Sequence, residues 1–304
     1  MQTRLPKTRR VPEAFANTKI TDRCLAIIDA IGRYRFVLAR DIARVVGGNE
    51  DVTHRHLQQL FHQDLISRFK LPTAPNRGEF VYFLDNATEL RKLCAASVLN
   101  ASDFDWDEIS RNRQKYGAVA KRSAGQFLFI EHELMIARFH ADIEAATRDD
   151  GNVELARWVQ GPALWNTVKT DSRRTLPHRP DALFALQFLN SPDGQQRATF
   201  FYEADRETSS LARIREKLEA HLVFLLQGQQ HRQYGFRRIR AVLIETLTTA
   251  RANQLRMVAS SLAMQFPLSA SLFWIAACEE NPRLSISTRC WQCAVDDSAR
   301  SLAD

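Results

Sequence analysis

The order in which apolar periodicity changes between Ile20 and Leu84 narrows the folds open to this chain more than any other feature. Ile20, Cys24, Ile27, Ile28 and Ile31 recur at three and four residues, the spacing of one helical face, and Gly32 is the expected stop. Leu38, Ile42, Val45 and Val46 mark a second, shorter face before Gly47 and Gly48 break it. Asn49 or Asp51 can cap a third helix, EDVTHRHLQQLFHQD, which buries Val52, Leu57, Leu60 and Phe61 and exposes Thr53, His54, Arg55, Gln58, Gln59 and His62. Two runs of strand composition follow, ISRFKL and EFVYFL, and PTAPNRG between them supplies Pro, Asn and Gly for a turn. Three helices and a hairpin inside about 75 residues predict a winged helix-turn-helix over residues 19–100.

Charge adds a direction to that fold. The chain carries 42 Lys and Arg against 35 Asp and Glu, and residues 1–100 hold 16 of the basic against 10 of the acidic side chains, so the surplus is local. Such a surplus attracts a phosphate backbone or an anionic lipid surface regardless of sequence. In a winged helix the third helix enters the major groove and the hairpin touches flanking phosphates. Its polar face therefore offers Thr53, His54, Arg55, Gln58 and Gln59 to duplex DNA, with Arg55, Gln58 and Gln59 at base edges because Arg pairs bidentately with guanine and Gln with adenine. Arg68, Lys70 and Arg77 are expected on phosphates. The alternative is a solvated face that recruits protein. His54 and His56, two apart on a helix, point in different directions and make no metal pair.

With 304 residues, 45% hydrophobic and 25% charged, the chain has the length for two domains and the make-up of a globular protein. No apolar run is long enough to cross a bilayer, and the basic first twenty residues lack the apolar core of a signal peptide. A cytoplasmic location with no membrane partner is expected. Cys24, Cys94, Cys278, Cys290 and Cys293 are scattered and odd in number, which suits a reducing compartment, and Cys290 and Cys293 lack the second pair that a zinc ribbon needs. The expected organisation is a basic flexible arm over 1–18, the winged helix over 19–100, a polar linker over 101–123, a mixed α/β domain over 124–282 and a tail over 283–304.

Beyond the linker, QFLFIEHELMIARFHADIEAATRDD has helical spacing and carries Glu131, His132 and Glu133 in its first half. In RPDALFALQFLNSPDGQQRATFFYEADRE, apolar runs over 182–189 and 198–204 flank SPDG and predict an antiparallel hairpin. Pairing across it brings Asp181 and Glu203 to the same open end, and Asp205, two residues on, lies on the same side. Acids gathered at the end of apolar strands are costly unless a cation lies between them. Mg2+ or Mn2+ held by Asp181, Glu203 and Asp205 is one solution. Ion pairs with the next helix, where Arg213 and Lys217 share a face, are the other, and both stay open. RIRAVLIETL, a helix with Arg251 and Arg256, and LFWIAAC complete a core of helix, hairpin, helix, strand, helix and strand.

The winged-helix pattern, Arg179-Pro180-Asp181, Glu203-Ala204-Asp205-Arg206 with Thr208, Lys217 and the later strand toward Arg251 together resemble the replication-relaxation family of bacterial mobile elements over roughly residues 20–280. The resemblance implies an α+β chain, a winged helix-turn-helix followed by a mixed α/β restriction-endonuclease-like domain of the PD-(D/E)XK type. It also implies relaxase-like work on DNA in plasmid replication or mobilisation. Pro180-Asp181 matches the first element of such a core, whereas Asp205 stands where a lysine is expected and Lys217 would supply the ammonium. Glu131 or Glu133, with His132, are candidates to complete the site. On that reading Asp181 and Glu203 hold Mg2+ or Mn2+, the metal lowers the pKa of a bound water, and Lys217 stabilises developing charge. The rival is a non-catalytic replication or transcription regulator that keeps the core as a scaffold. Double-stranded DNA is the implied partner, with replication or conjugation proteins and a second copy of the chain as further candidates.

Overall fold

Helix α1 (Asp22–Tyr34) starts where the Thr21 hydroxyl accepts a hydrogen bond from the Cys24 amide, and it buries Cys24, Ile27, Ile28 and Ile31 as one face. It does not stop at Gly32. A Cβ there would meet the Phe104 ring at 2.9 Å, so this glycine permits a close approach and the helix runs on to Tyr34. Strand β1 (Val37–Leu38) and helix α2 (Ala39–Val46) follow, and Gly47 and Gly48, at φ +79° and +82°, turn the chain into α3 (Glu50–His62). Asn49 caps α3, its side-chain oxygen accepting from the Asp51 amide at 2.7 Å. Strands β2 (Ser67–Lys70) and β3 (Phe80–Phe83) pair antiparallel in the register Arg68–Tyr82, and β1 joins on the other side of β3 to give the order β1-β3-β2.

The structure is a computed structural model that describes residues 6, 9–72, 78–96, 98–117, 122–192, 196–266, 271–278, 286–296 and 298–304. It comprises two compact units, Met1–Ala141 and Asp142–Asp304. Most of the PTAPNRG turn, with Arg77, lies outside the described residues, as does half of SPDG.

Three expectations about the organisation are corrected. The stretch 101–123 is not a bare linker, because it carries helix α5 (Trp106–Tyr116), which follows the short helix α4 (Ala87–Ala95). Asp105 caps α5 by accepting from the Glu108 amide, and Phe104 and Ile109 are buried in the same core as α1. Polar composition hid this helix: its buried side is narrow. The basic arm is anchored from Arg10 onward, whose guanidinium bonds the Phe61 and Ile66 carbonyls and pairs with Asp64 at 2.9 Å. The tail is a sheet edge, since Trp291, Cys293 and Leu302 are buried. The boundary between units falls within helix α6 (Ala124–Asp150).

The second unit is built on a seven-stranded sheet. Strand β4 (Val153–Gln160) lies at one edge, and the small pair β5 (Asn166–Lys169) and β6 (Thr175–His178) precedes the long hairpin β7 (Ala182–Phe188) and β8 (Arg197–Asp205). Helices α7 (Leu211–Leu226) and α8 (Gln229–Tyr234) lead to β9 (Ala241–Thr246), helix α9 (Thr249–Ala263) to β10 (Phe273–Ala277), and β11 (Trp291–Cys293) and β12 (Ala299–Arg300) close the edge. The order is β12-β11-β10-β9-β8-β7-β4, with β8, β9 and β10 parallel and the other neighbours antiparallel. Apolar residues of α7 and α9 pack with Phe201, Val242, Ile244 and Ile275 on one face of this sheet. Burying that face supplies the main driving force. Among the described residues no helix is long and apolar enough to cross a membrane.

Candidate functional site

The hairpin register decides what meets at the open end of β7 and β8. Ala182 pairs with Tyr202, which sets Asp181 beside Glu203 one step further along. By the period of two, Phe201, Glu203 and Asp205 project from one face of β8, the face that α7 and α9 cover. Three acids thus enter a sheet–helix layer that is otherwise apolar.

Each acid is met there by a cation or a hydrogen-bond donor of the chain itself. The Lys217 ammonium, from α7, stands 3.4 Å from Asp181 Oδ2 and also pairs directly with Glu203 Oε2. Asp181 Oδ2 accepts from the Ala204 amide at 2.9 Å as well. On the other side, Glu203 Oε1 lies 2.5 Å from His221 Nε2, one helical turn beyond Lys217, and His221 Nδ1 lies 3.1 Å from His178 Nε2 on β6. His178 stacks on Phe224 with ring centroids 3.9 Å apart. Asp205 goes elsewhere: its Oδ2 accepts from Arg251 Nε at 2.7 Å and from the Thr246 hydroxyl at 3.2 Å, and the Arg251 guanidinium also donates to the Ser209 carbonyl.

Burial sets the proton affinities of this layer. It pushes Glu203 well above the usual carboxylate range, an effect that Lys217 opposes and the charge on Asp181 reinforces. Burial acts against the Lys217 ammonium, but Asp181 and Glu203 outweigh it and raise its pKa, so the side chain stays charged. Burial, with Lys217 adding to it, lowers His221 to about 3, and burial with the neighbouring His221 and Lys217 lowers His178 to about 2. Near neutral pH both imidazoles are therefore uncharged and can only relay or share a proton with Glu203.

The expected single pocket of three carboxylates does not form. Asp181 and Glu203 are brought together, with Lys217 between them, while Asp205 is occupied by a buried arginine. Among the described residues no group of three or more His, Cys, Asp or Glu side chains could hold a metal ion. Glu133 and His132 belong to the first unit, where the Glu133 carboxylate pairs with Arg35 at 2.5 Å. Spacing could not reveal Arg251, 46 residues from Asp205, as the partner that claims it. Nor did it single out His178 or His221, although His221 follows Lys217 by four on the same helix face.

In the first unit, the residues expected on DNA divide by exposure. His54, Arg55 and Lys70 are exposed, and Gln58 and Arg68 are half-buried. Thr53 and Gln59 point inward: the Thr53 hydroxyl accepts from Arg23 Nη2, and Gln59 Nε2 donates to the Lys19 carbonyl. His62, expected at the surface, is buried and accepts from the Val11 amide. The anchored stretch after Arg10 covers that side of α3, which sequence spacing could not foresee. Arg68 is stacked over Phe61 and Phe80, with its guanidinium 4.2 and 4.5 Å from the two ring centroids.

A family model described as replication-relaxation matches residues 28–238. No curated protein and no solved structure matches the chain.

Proposed function

Because this chain belongs to the replication-relaxation family, we propose that it is a DNA-binding protein of plasmid or mobile-element replication whose first unit docks on duplex DNA and whose acid-bearing core is a scaffold. The order α1, β1, α2, α3, β2, β3 with a β1-β3-β2 sheet supports reading the first unit as a winged helix-turn-helix. The observation that carries the docking reading is the solvent face of α3, where His54, Arg55 and Gln58 stand together beside a hairpin bearing Arg68 and Lys70. On this reading Arg55 and Gln58 read base edges, and Lys70 binds phosphate, with Arg68 held in place by its two aromatic neighbours.

The scaffold reading of the second unit rests on Lys217 and Arg251. Their charges fill the places a divalent ion would need, so the donors present do not fit the three-acid metal site. One observation favours the enzymatic rival. Asp181, Glu203 and Lys217 share one cluster, the acid, acid and lysine set of the endonuclease type, and the site becomes a nicking centre only if Mg2+ or Mn2+ displaces the ammonium from between the carboxylates.

Two measurements on the full chain decide between these. Titration of a labelled duplex is expected to show binding that weakens steeply with salt and is lost or strongly reduced on Arg55→Ala with Gln58→Ala. Incubation of supercoiled plasmid with Mg2+ or Mn2+ is expected to leave it intact. Nicks that vanish on Asp181→Ala and Glu203→Ala restore the nuclease, and unchanged duplex affinity in the α3 variant removes the docking face.

A further inference from the structure

The second unit has another charged feature, at the opposite end of its sheet from Asp181 and Glu203. A cleft of about 610 Å³ opens where β8 and β9 begin, lined by Arg197, Arg238, Arg240 and Arg300 together with Phe188 and Asp304. Glu203 and Asp205 lie toward the far end of the nine-residue strand β8, roughly 20 and 26 Å from Arg197 at about 3.3 Å per residue. The two sites are therefore separate.

Four guanidiniums line this cleft against one carboxylate, Asp304. Arg300 is partly engaged by Asp296 at 2.9 Å, and Arg197 donates to the Gln187 side chain at 3.3 Å. Arg238 and Arg240 make no salt bridge with a described residue, and both line the cleft on the segment that leads into β9. Burial lowers the pKa of Arg240, and the nearby charge of Asp304 opposes the shift. Like charges collected in a concavity repel one another unless an anion enters, and the planar fork of arginine matches phosphate oxygens bidentately. Four cations from three separate stretches of chain, spread around one cleft, suit successive phosphates better than a single small anion.

We infer that this arginine cleft is a second nucleic-acid contact, which grips the phosphodiester backbone through Arg238 and Arg240 with Arg197 and Arg300 at its margins. It reads no sequence and adds to affinity and salt dependence alone.

The test uses the full chain and an Arg238→Ala, Arg240→Ala variant. Binding to labelled duplex and to labelled single strand is followed by anisotropy between about 50 and 200 mM salt. The variant is expected to bind at least tenfold more weakly, and the slope of log affinity against log salt is expected to fall by about 1.8 for duplex or about 1.4 for single strand, the loss of two phosphate contacts. An Arg238→Lys, Arg240→Lys variant keeps the charge and is expected to keep the slope, which separates a phosphate contact from a folding defect. The Arg55→Ala, Gln58→Ala protein retains the cleft, so failure of the α3 reading and failure of this one give different patterns. Inorganic pyrophosphate and ATP are titrated in parallel. Loss of their binding in the Ala variant with DNA affinity unchanged overturns the backbone assignment in favour of a free nucleotide, and no change with any probe removes the site.

Discussion

Helix α3 and strand β8 treat charge in opposite ways. On α3 the functional candidates His54 and Arg55 are left to solvent with Gln58 half-buried beside them, and the interior beneath is Leu57, Leu60 and Phe61. On β8 the candidates Glu203 and Asp205 are themselves interior, and the chain supplies Lys217, His221 and Arg251 to hold them there. A charge left in water costs the fold nothing and is available to a partner. A buried charge has to be satisfied by the fold first, and a group so satisfied is not free for chemistry unless its partner moves.

The sharpest way to break this contrast is to remove a cation that holds a buried acid. Lys217→Ala or Arg251→Ala leaves a buried carboxylate uncompensated. Arg251→Ala, with both partners buried, is expected to cost about 3–5 kcal/mol, and Lys217→Ala, whose ammonium is partly exposed, less, each read as a lowered urea midpoint. Hydrogen exchange is expected to rise in peptides over 181–263 and to stay unchanged over 22–62. Added Mn2+ is expected to restore none of the loss in Lys217→Ala. A midpoint that climbs with Mn2+ means that an ion can take the ammonium's place, and the scaffold reading then falls.

The first unit buries acids of its own, Asp41, Asp85, Glu131 and Glu133, and the first of them tests the contrast from the other side. Asp41, in α2, is raised to about 6 by burial, against the opposing charges of Arg40, Arg138 and Arg44 and with the charge on Glu79 adding to the rise. The folded chain therefore keeps this proton up to about pH 6, whereas the unfolded chain releases it near pH 4. The contribution is fully favourable below about pH 4 and is lost as pH rises through about 6, an upper bound of about 3 kcal/mol. Asp41→Asn is expected to slow exchange in peptides over 39–62 at pH 7 and to leave them unchanged at pH 4. An equal effect at both pH values contradicts the assignment.

A smaller effect is expected on the surface of α3. Arg55→Ala is expected to weaken duplex binding by about 1–3 kcal/mol at the one base it reads, with the urea midpoint unchanged. A shifted midpoint places the residue with the buried set instead.

The same contrast explains what was legible in the sequence. The helices α1, α2 and α3 follow from apolar spacing, because each buries one face, and the strands β2 and β3 and the hairpin β7–β8 follow from short runs of strand composition between turn residues. The meeting of Asp181 with Glu203 follows from hairpin register alone. Strand β1, two residues long, has no alternation to read, and α5 is betrayed only by Asp105 capping Glu108 three residues on. The inward turn of Thr53 and Gln59 depends on Arg23 and Lys19, and the capture of Asp205 depends on Arg251. Those contacts are tertiary, between residues 30 to 46 apart, and local periodicity carries no information about them.

The exposed pair Arg40–Glu79, 2.6 Å apart, gives the contrast its lower bound. Its geometry is as close as that of Arg251 with Asp205, yet its side chains are 46% and 39% exposed against 10% and 5%. Water already solvates both groups, and holding two long side chains in one arrangement costs entropy, so the pair is worth about 0–1 kcal/mol. Glu79→Ala is expected to move the urea midpoint by less than about 0.5 kcal/mol, and the small effect is expected to shrink as salt rises. If this pair proved as costly to break as Arg251 with Asp205, burial would not be what distinguishes the two pairs. Nothing would then separate a face open to a partner from a layer whose charges the fold has already taken up.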